Sequence, residues 1–289
     1  MLKFLTKAII FLGVVVGAIT FVYLYDLYQE IKDDIDSVVN YNPKQSTQFF
    51  DKNGKLLANT FKDENREYVN YDDIPARVIE GLVAIEDTQF FEHFGVNPDA
   101  ISRAVIKNIQ SGGYSEGAST LTQQLIKVLL LSREKKIIRK VKEALLAIRL
   151  ETVLTKEEIL ERYLNHVYFG HGYYGIKTAA KGYFKKNLYE LTLKEIAILV
   201  GLPRAPSFYD PTKNLQVSLA RANQVITRMH TLGWINNEQF EESINETPTI
   251  YNQTLTQNIA PYAIDYAVSE LVNDIPDILY GGYKVYLTI

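Results

Sequence analysis

Residues 74–95 read IPARVIEGLVAIEDTQFFEHFG, and this stretch sets the structural class of the chain. Apolar residues recur from Val78 to Ile85 at the three- and four-residue spacing of a helix with one buried face. Two acids, Glu86 and Asp87, follow directly. The sequence therefore predicts a core helix that carries carboxylates to an apolar edge, where they suit proton transfer. The alternative is an acidic pair exposed at a helix end.

The same helical spacing continues on the C-terminal side of this stretch. It predicts a mainly α domain from about Ile74 to Asn245. The clearest runs are Leu121–Leu131, Ile137–Leu154, Lys156–Leu164 and Leu193–Leu202. Upstream, Thr47–Phe61 predicts a β-hairpin with Asn53-Gly54 as its tight turn. Downstream, the tail from Thr247 reads as loop and ends in a strand-like run, Gly281–Ile289.

The N-terminal segment predicts a membrane anchor. Ala8–Tyr25 carries no charge and is about as long as the shortest helix that spans a bilayer. Lys3 and Lys7 precede it and five acids follow within eleven residues, so the N-terminus is predicted to be cytoplasmic. A cleavable signal peptide is the alternative, but its apolar region is usually shorter, which favours an uncleaved anchor.

Composition excludes some classes of function. The chain has 289 residues, a formal net charge of -3, four His and no Cys. The absence of Cys excludes a disulfide framework and a thiolate metal site. The small net charge gives no general attraction to nucleic acid, so an anion site has to come from local clustering.

Two further segments carry polar residues that suit phosphate chemistry. Gly117–Gln124 reads GASTLTQQ and leads through an apolar turn to Lys127. Helix N-capping would explain one of its hydroxyls but not the whole run. The next segment is basic, with Arg133, Lys135, Lys136, Arg139, Lys140 and Lys142 around Glu143. Such a cluster binds phosphate oxygens, although a solvated helix face with an Arg139–Glu143 pair is equally compatible.

Together these segments resemble glycosyltransferase family 51, the polymerase module of class A penicillin-binding proteins and of monofunctional peptidoglycan glycosyltransferases. The resemblance covers about residues 47–245 and includes five ordered motifs. They are Glu86-Asp87-x-x-Phe90-x-x-His93-x-Gly95, Gly117–Gln124, Arg139-Lys140-x-x-Glu143, Lys156-x-x-Ile159-Leu160-x-x-Tyr163-Leu164-Asn165 continuing through Tyr168-Phe169-Gly170, and Arg204-Ala205-Pro206-x-x-Tyr209-x-Pro211.

The resemblance implies a lysozyme-like, two-lobed, mainly α domain that polymerises lipid II. It implies catalytic roles for Glu86 and Glu143. The implied substrate-binding residues are Asp87, Phe90, His93, Ser119, Thr120, Gln123, Gln124, Lys127, Lys135, Arg139, Lys140, Asn165 and Arg204. No cofactor is required, and the chemistry is compatible with a divalent cation, Mg or Mn, between pyrophosphate and carboxylate. Implied partners are lipid II, growing lipid-linked glycan, the membrane bilayer and other cell-wall synthesis proteins, but not nucleic acid.

The resulting domain prediction has four parts. Residues 1–26 form the cytoplasmic tip and anchor, 27–70 a stalk and hairpin linker, 71–245 the glycosyltransferase domain, and 246–289 a linker toward a transpeptidase domain. Two positions depart from the family pattern: Asn97 replaces a frequent Asp, and Lys135 replaces a frequent Arg.

Three other functions share features with this sequence. A lysozyme-like muramidase shares the fold and a single essential Glu but has no use for a basic cluster. An inactive membrane-anchored scaffold is compatible with the anchor. Penicillin acylation by Ser132-x-x-Lys135 is rejected because the partner motifs stand in the wrong order along the chain.

Overall fold

The computed structural model describes residues 2–40, 44–61, 64–113, 117–130, 136–252 and 258–289. The helices in these ranges are α1 (Leu2–Ile31), α2 (Asp34–Val39), α3 (Ala76–Glu86), α4 (Pro98–Ser111), α5 (Leu121–Leu129), α6 (Lys136–Leu150), α7 (Lys156–His166), α8 (Ile176–Phe184), α9 (Leu193–Gly201), α10 (Leu215–Thr231), α11 (Asn237–Asn245) and α12 (Pro261–Leu271). The strands are β1 (Thr47–Phe50), β2 (Leu56–Thr60), β3 (Asn65–Arg66), β4 (Tyr173–Tyr174) and β5 (Lys284–Tyr286). The predicted mainly α class is confirmed.

The chain divides into two compact units. One, called here the anchor unit, contains Met1–Tyr41 and Glu92–Thr155. The other, called the core unit, contains Asn42–Phe91 and Lys156–Ile289.

The core unit is built around α3, α9 and α10, which pack against one another. Helix α9 is buried along its length from Lys194 to Gly201, and its residues from Ile196 onward are apolar on all sides. Gly81 lets α3 approach α9 closely, since an added Cβ would lie 3.3 Å from Val200 Cγ2. Helices α3 and α9 end within two residues of the predicted apolar runs Val78–Ile85 and Leu193–Leu202, whereas no bounds were predicted for α10.

The anchor unit contains the long apolar helix α1, of which Phe4–Ile31 is long and apolar enough to cross a membrane. The last turns of α1, together with α2, pack against α6, and α6 also packs against α5. Helix α6 ends at Leu150, and hydrogen-bonded turns at Thr152, Val153 and Leu154 follow it. The apolar run predicted through Leu154 therefore includes four residues beyond the helix.

The predicted hairpin is confirmed, but its turn differs. Strands β1 and β2 pair antiparallel, and residues 52–54 form a three-residue loop in which Gly54 has a φ of +81°. Asp51 closes the loop, because its Oδ1 accepts from the backbone N–H groups of Asn53 and Lys55, both at 2.8 Å. Glycine takes the left-handed position that ends such loops.

The tail was predicted as loop over a segment that forms α12. Ile264, Ala267, Val268 and Leu271 repeat at helical spacing behind Pro261 in the first turn, so the signal was present in the sequence. This helix packs with Phe49 of the hairpin in one apolar cluster. Strand β5 confirms the strand-like ending and pairs parallel with β1. The two predicted linkers thus share one sheet, of order β2-β1-β5.

Candidate active site

Glu86 is the last residue of α3 and retains a small exposed surface. Its side chain is 11% exposed, and its Oε1 lies 3.1 Å from Nη2 of Arg221 on α10. The Arg221 side chain is 5% exposed. The sequence predicted apolar surroundings for Glu86. The structure adds the buried guanidinium of Arg221, which stabilises the charged carboxylate.

Arg221 connects the first motif with the fifth. It packs on Gly201, where an added Cβ would meet Arg221 Cγ at 2.9 Å, and its Cζ lies 5.6 Å from the ring centroid of Tyr209. Burial lowers the pKa of Arg221, the charge of Glu86 raises it, and the charge of Arg204 lowers it. Arg204 and Tyr209 of the fifth motif therefore lie within electrostatic range of the Glu86 pair.

Tyr163 brings the fourth motif to the same place. This side chain on α7 is buried, and burial raises its pKa well above the ordinary value of a tyrosine. The negative charge of Glu86 raises that pKa further. Tyr163 therefore stays a neutral phenol near the Glu86 carboxylate at any physiological pH.

Asp87 and Phe90 shape the turn that follows α3. Asp87 is the C-cap residue, and its carbonyl accepts from the backbone N–H of Phe90 at 2.9 Å. The ring of Phe90 is buried, and Lys156 Nζ lies 4.4 Å from its centroid. This cation–π contact ties the turn to the start of α7.

Asn165 is committed to the backbone. Its Nδ2 donates to the carbonyls of Val69, at 2.7 Å, and Glu161, at 2.8 Å. Its Oδ1 accepts from the Val69 N–H at 2.9 Å. The side chain is buried, so this geometry favours a bracing role for Asn165 over the predicted direct contact with substrate.

In the anchor unit, Glu143 is fully buried and holds two cations. Arg139 Nε lies 3.1 Å from Oε1 in an ion pair that lacks hydrogen-bond alignment. Lys140 Nζ donates to Oε2 of Glu143 and to Ser119 Oγ, the latter at 2.8 Å. The Glu143 side chain is 0% exposed, whereas that of Lys140 is 48% exposed. The solvated-face interpretation of this pair is therefore wrong.

Two residues of the second motif are used as helix caps. Thr120 and Gln123 form a capping box at the start of α5, with backbone-to-side-chain distances of 3.0 and 3.1 Å. The Thr120 hydroxyl also donates to the Gly95 carbonyl at 2.6 Å. Helix capping therefore explains two polar side chains of Gly117–Gln124, and one was expected from the sequence.

Gly95 holds the end of the first motif against α6. It has a φ of +79°, and an added Cβ would lie 2.5 Å from the Ala147 carbonyl atoms. His93, nearby in sequence, is buried, as is Asn97, which caps α4 by accepting from the Ala100 N–H at 2.9 Å. The departure at Asn97 therefore retains a capping side chain.

The remaining predicted site residues have simple placements. Gln124 is half-buried on α5, and Lys127 is exposed in the last turn of that helix. Lys135 and Arg133 lie outside the described residues. Within the described ranges, no group of three or more His, Asp or Glu side chains is placed to hold a metal ion.

The structure thus places the predicted residues in two sets. The core unit contains Glu86, Asp87, Phe90, Asn165 and Arg204, and the anchor unit contains His93, Ser119, Thr120, Gln123, Gln124, Lys127, Arg139, Lys140 and Glu143. Arg221 was missed by sequence reasoning. Its signal is a charged residue on the buried face of α10, among Ser218, Ala222 and Val225.

Comparison with known proteins identifies the family. The sequence model of the family described as Transglycosylase matches residues 53–230. The chain belongs to the transglycosylase family. The predicted resemblance is therefore confirmed.

The chain is similar to several named proteins. Penicillin-binding protein 1A of Aquifex aeolicus is 40% identical over 96% of this chain and 38% of its own length. Penicillin-binding protein 1A of Escherichia coli is 38% identical over 92% of this chain and 32% of its own length. A 2.6 Å crystal structure of penicillin-binding protein 1A from Haemophilus influenzae matches with a TM-score of 0.48 and 26% identity, covering 85% of this chain and 27% of that one. The chain spans less than two-fifths of the length of these relatives.

Proposed function

We propose that this transglycosylase is a peptidoglycan glycosyltransferase that polymerises lipid II into β-1,4-linked glycan. The observation that carries the proposal is the family match over residues 53–230, which contains both motif carboxylates. The growing lipid-linked glycan is the donor and lipid II is the acceptor. In this proposal residues 71–245 form the catalytic domain.

The proposed reaction is a single inverting displacement. The 4-hydroxyl of the acceptor GlcNAc loses its proton to the Glu86 carboxylate, and its oxygen attacks C1 of the donor MurNAc. The bond from C1 to the pyrophosphate oxygen breaks, and the polyprenyl pyrophosphate leaves with the electron pair. Inversion of an α-linked donor gives the β-1,4 bond. Glu86 forms an ion pair with Arg221 and retains part of its exposed surface, so in this proposal its carboxylate is open to the hydroxyl proton.

The leaving group needs fixed positive charge. Lys127, Arg139 and Lys140 are the proposed cations, because charge that develops on pyrophosphate is best stabilised by preorganised donors. Lys135 keeps the same proposed role. Ser119 shares Lys140 with Glu143 and so places a hydroxyl at the same cluster. Gln124 completes the proposed donor pocket, while Thr120 and Gln123 shape it through the capping box.

Glu143 organises these cations. Its side chain has no exposed surface, so it does not meet the donor directly and is a positioning residue in this proposal. Its Oε2 accepts from Lys140, and its Oε1 lies 3.1 Å from Arg139 Nε. No step of the proposal passes through a metal ion.

The anchor and its orientation belong to the same proposal. Helix α1 spans a bacterial plasma membrane with the N-terminus cytoplasmic and the catalytic residues outside. Helix α4 dips into the interface, because Ile101, Val105, Ile106 and Ile109 form an exposed apolar face on it. Both features keep the enzyme beside a substrate whose lipid tail stays in the bilayer.

Lipid II polymerisation by the purified chain in liposomes tests the function. The proposal predicts a ladder of glycan chains on an electrophoretic gel. Shortening of preformed glycan instead would favour the muramidase, for which the cation cluster has no use. A folded protein that binds lipid II and makes no polymer would favour the scaffold.

A further inference from the structure

Helix α1 changes its surroundings near Leu27. Upstream residues such as Val14, Phe21 and Val22 are exposed, as expected for a surface that faces lipid. The following turns of α1 and α2 carry a buried stripe at spacings of three and four residues. This juxtamembrane stripe consists of Leu27, Ile31, Ile35 and Val38, each at most 8% exposed.

The stripe lies against the helix that carries the cation cluster. Both α1 and α2 pack on α6, the helix of Arg139, Lys140 and Glu143. The polar edge of this contact is an ion pair, in which Lys142 Nζ lies 3.3 Å from Glu30 Oε1. Lys142 is 8% exposed, whereas the side chain of Glu30 is 66% exposed. In the sequence, Lys142 belongs to the basic segment that suits phosphate binding. In the structure, it forms an ion pair with Glu30 of the membrane helix.

The length of α1 fits a role as a spacer. The 28 residues of Phe4–Ile31 extend about 42 Å at ~1.5 Å per residue. The hydrocarbon core of a bilayer is about 30 Å thick, so roughly eight residues stand beyond it. Leu27 and Ile31 follow the uncharged run Ala8–Tyr25, so a helix that spans the bilayer with this run would place them at the depth of the lipid headgroups. A lipid-linked donor carries its pyrophosphate at the same depth.

We propose that the juxtamembrane stripe and the Glu30–Lys142 pair fix the height of α6 above the membrane. They hold Arg139, Lys140 and Glu143 level with the pyrophosphate of a lipid-linked substrate. Glu30 and Lys142 are positioning residues in this account, and the anchor is part of the donor site instead of a tether alone. The inference rests on the proposed glycosyltransferase function.

Charge exchange tests the pair in the full chain. Glu30→Lys and Lys142→Glu each place like charges together, and the double variant restores an opposite pair. In liposomes we expect each single variant to raise the KM for lipid II about fivefold with little change in kcat. The double variant should return within about twofold of the parent. Asp33→Lys, the same charge change on an exposed residue of the stalk, controls for altered membrane insertion.

A second substrate distinguishes a change in the height of α6 above the membrane from misfolding of the variant. With a short-chain lipid II analogue that is free in water, donor depth no longer matters, so the single variants should match the parent. A variant that is merely misfolded would lose activity equally on both substrates, which would overturn the inference. Single variants that equal the parent in liposomes, or a double variant without rescue, would also overturn it. A parent protein that makes no polymer from either substrate would instead overturn the proposed function.

Discussion

The two motif carboxylates have opposite surroundings. Glu86 ends a core helix, retains 11% of its side-chain surface and pairs with Arg221, which is itself buried. Glu143 has no exposed side-chain surface and pairs with two cations three and four residues away, one of them largely open to solvent. A carboxylate that is partly accessible can exchange a proton with substrate. A sealed one can only hold its cations in place, so the two acids are suited to different tasks.

The largest expected effect comes from removing the base. Glu86→Gln keeps the shape of the side chain but accepts no proton, so we expect polymerisation to fall by at least about a thousandfold. Initial rates on lipid II in liposomes measure this effect. Glu238→Gln, on an exposed face of α11, is the matched control and should retain the parent rate. A Glu86→Gln variant within tenfold of the parent would remove Glu86 from the role of base.

The second effect comes from releasing the cations. Glu143→Gln leaves Arg139 and Lys140 without their shared counter-charge, and we expect kcat/KM to drop about a hundredfold. Most of this loss should be in KM, because the cations bind the pyrophosphate of the donor. Steady-state kinetics separates the two constants. An unchanged KM with a reduced kcat would make Glu143 a participant in the chemical step.

The partner of Glu86 should matter less than Glu86 itself. Arg221→Lys keeps the charge but loses the planar fork, and we expect a roughly tenfold lower kcat. Arg228→Lys, an exposed position on the same helix, is the control and should match the parent. Equal rates for both variants would reduce Arg221 to a packing residue.

The last prediction concerns the pH dependence of the core unit's stability. It involves little change in catalysis. Burial, with a contribution from the charge of Arg66, lowers the pKa of His166 from 6.5 to about 4. Between pH 6.5 and about pH 4, His166 is therefore protonated in the unfolded chain but neutral in the folded chain. As a result, the folded protein loses stability as pH falls from 6.5 toward 4. We expect roughly 2 kcal/mol of this loss to depend on His166.

Urea denaturation of the parent and His166→Gln at pH 7 and pH 4.5 measures that contribution. The variant should lose less stability over the interval than the parent. Identical losses would show that His166 titrates alike in the folded and unfolded chains.

The sequence predicted helices better than contacts. The apolar spacing of Val78–Ile85 and Leu193–Leu202 was sufficient for α3 and α9, because helical periodicity is local. Arg221 lies 135 residues from Glu86 along the chain, and Lys142 lies 112 from Glu30. No local pattern specifies such partners. The sequence of the neighbouring Arg139–Glu143 pair is also compatible with a solvated surface, and only the fold shows that the Glu143 side chain is fully buried.

Residue type alone predicted substrate binding for some side chains that have structural roles instead. Asn165 and Gln123 carry groups suited to sugar binding, but their hydrogen bonds go to the backbone. Polar side chains near helix ends often satisfy backbone groups, and only the folded geometry separates this use from substrate binding. For helix α12 the sequence prediction erred in the opposite direction. The apolar spacing of a helix is present, but the segment was predicted as loop.

The division of labour between Glu86 and Glu143 is tested most directly by substrate binding without turnover. Equilibrium binding of lipid II should be measured for Glu86→Gln and Glu143→Gln in the same liposomes. We expect parent-like affinity for Glu86→Gln and affinity at least about tenfold weaker for Glu143→Gln. Equal affinities, or weaker binding by Glu86→Gln, would contradict it.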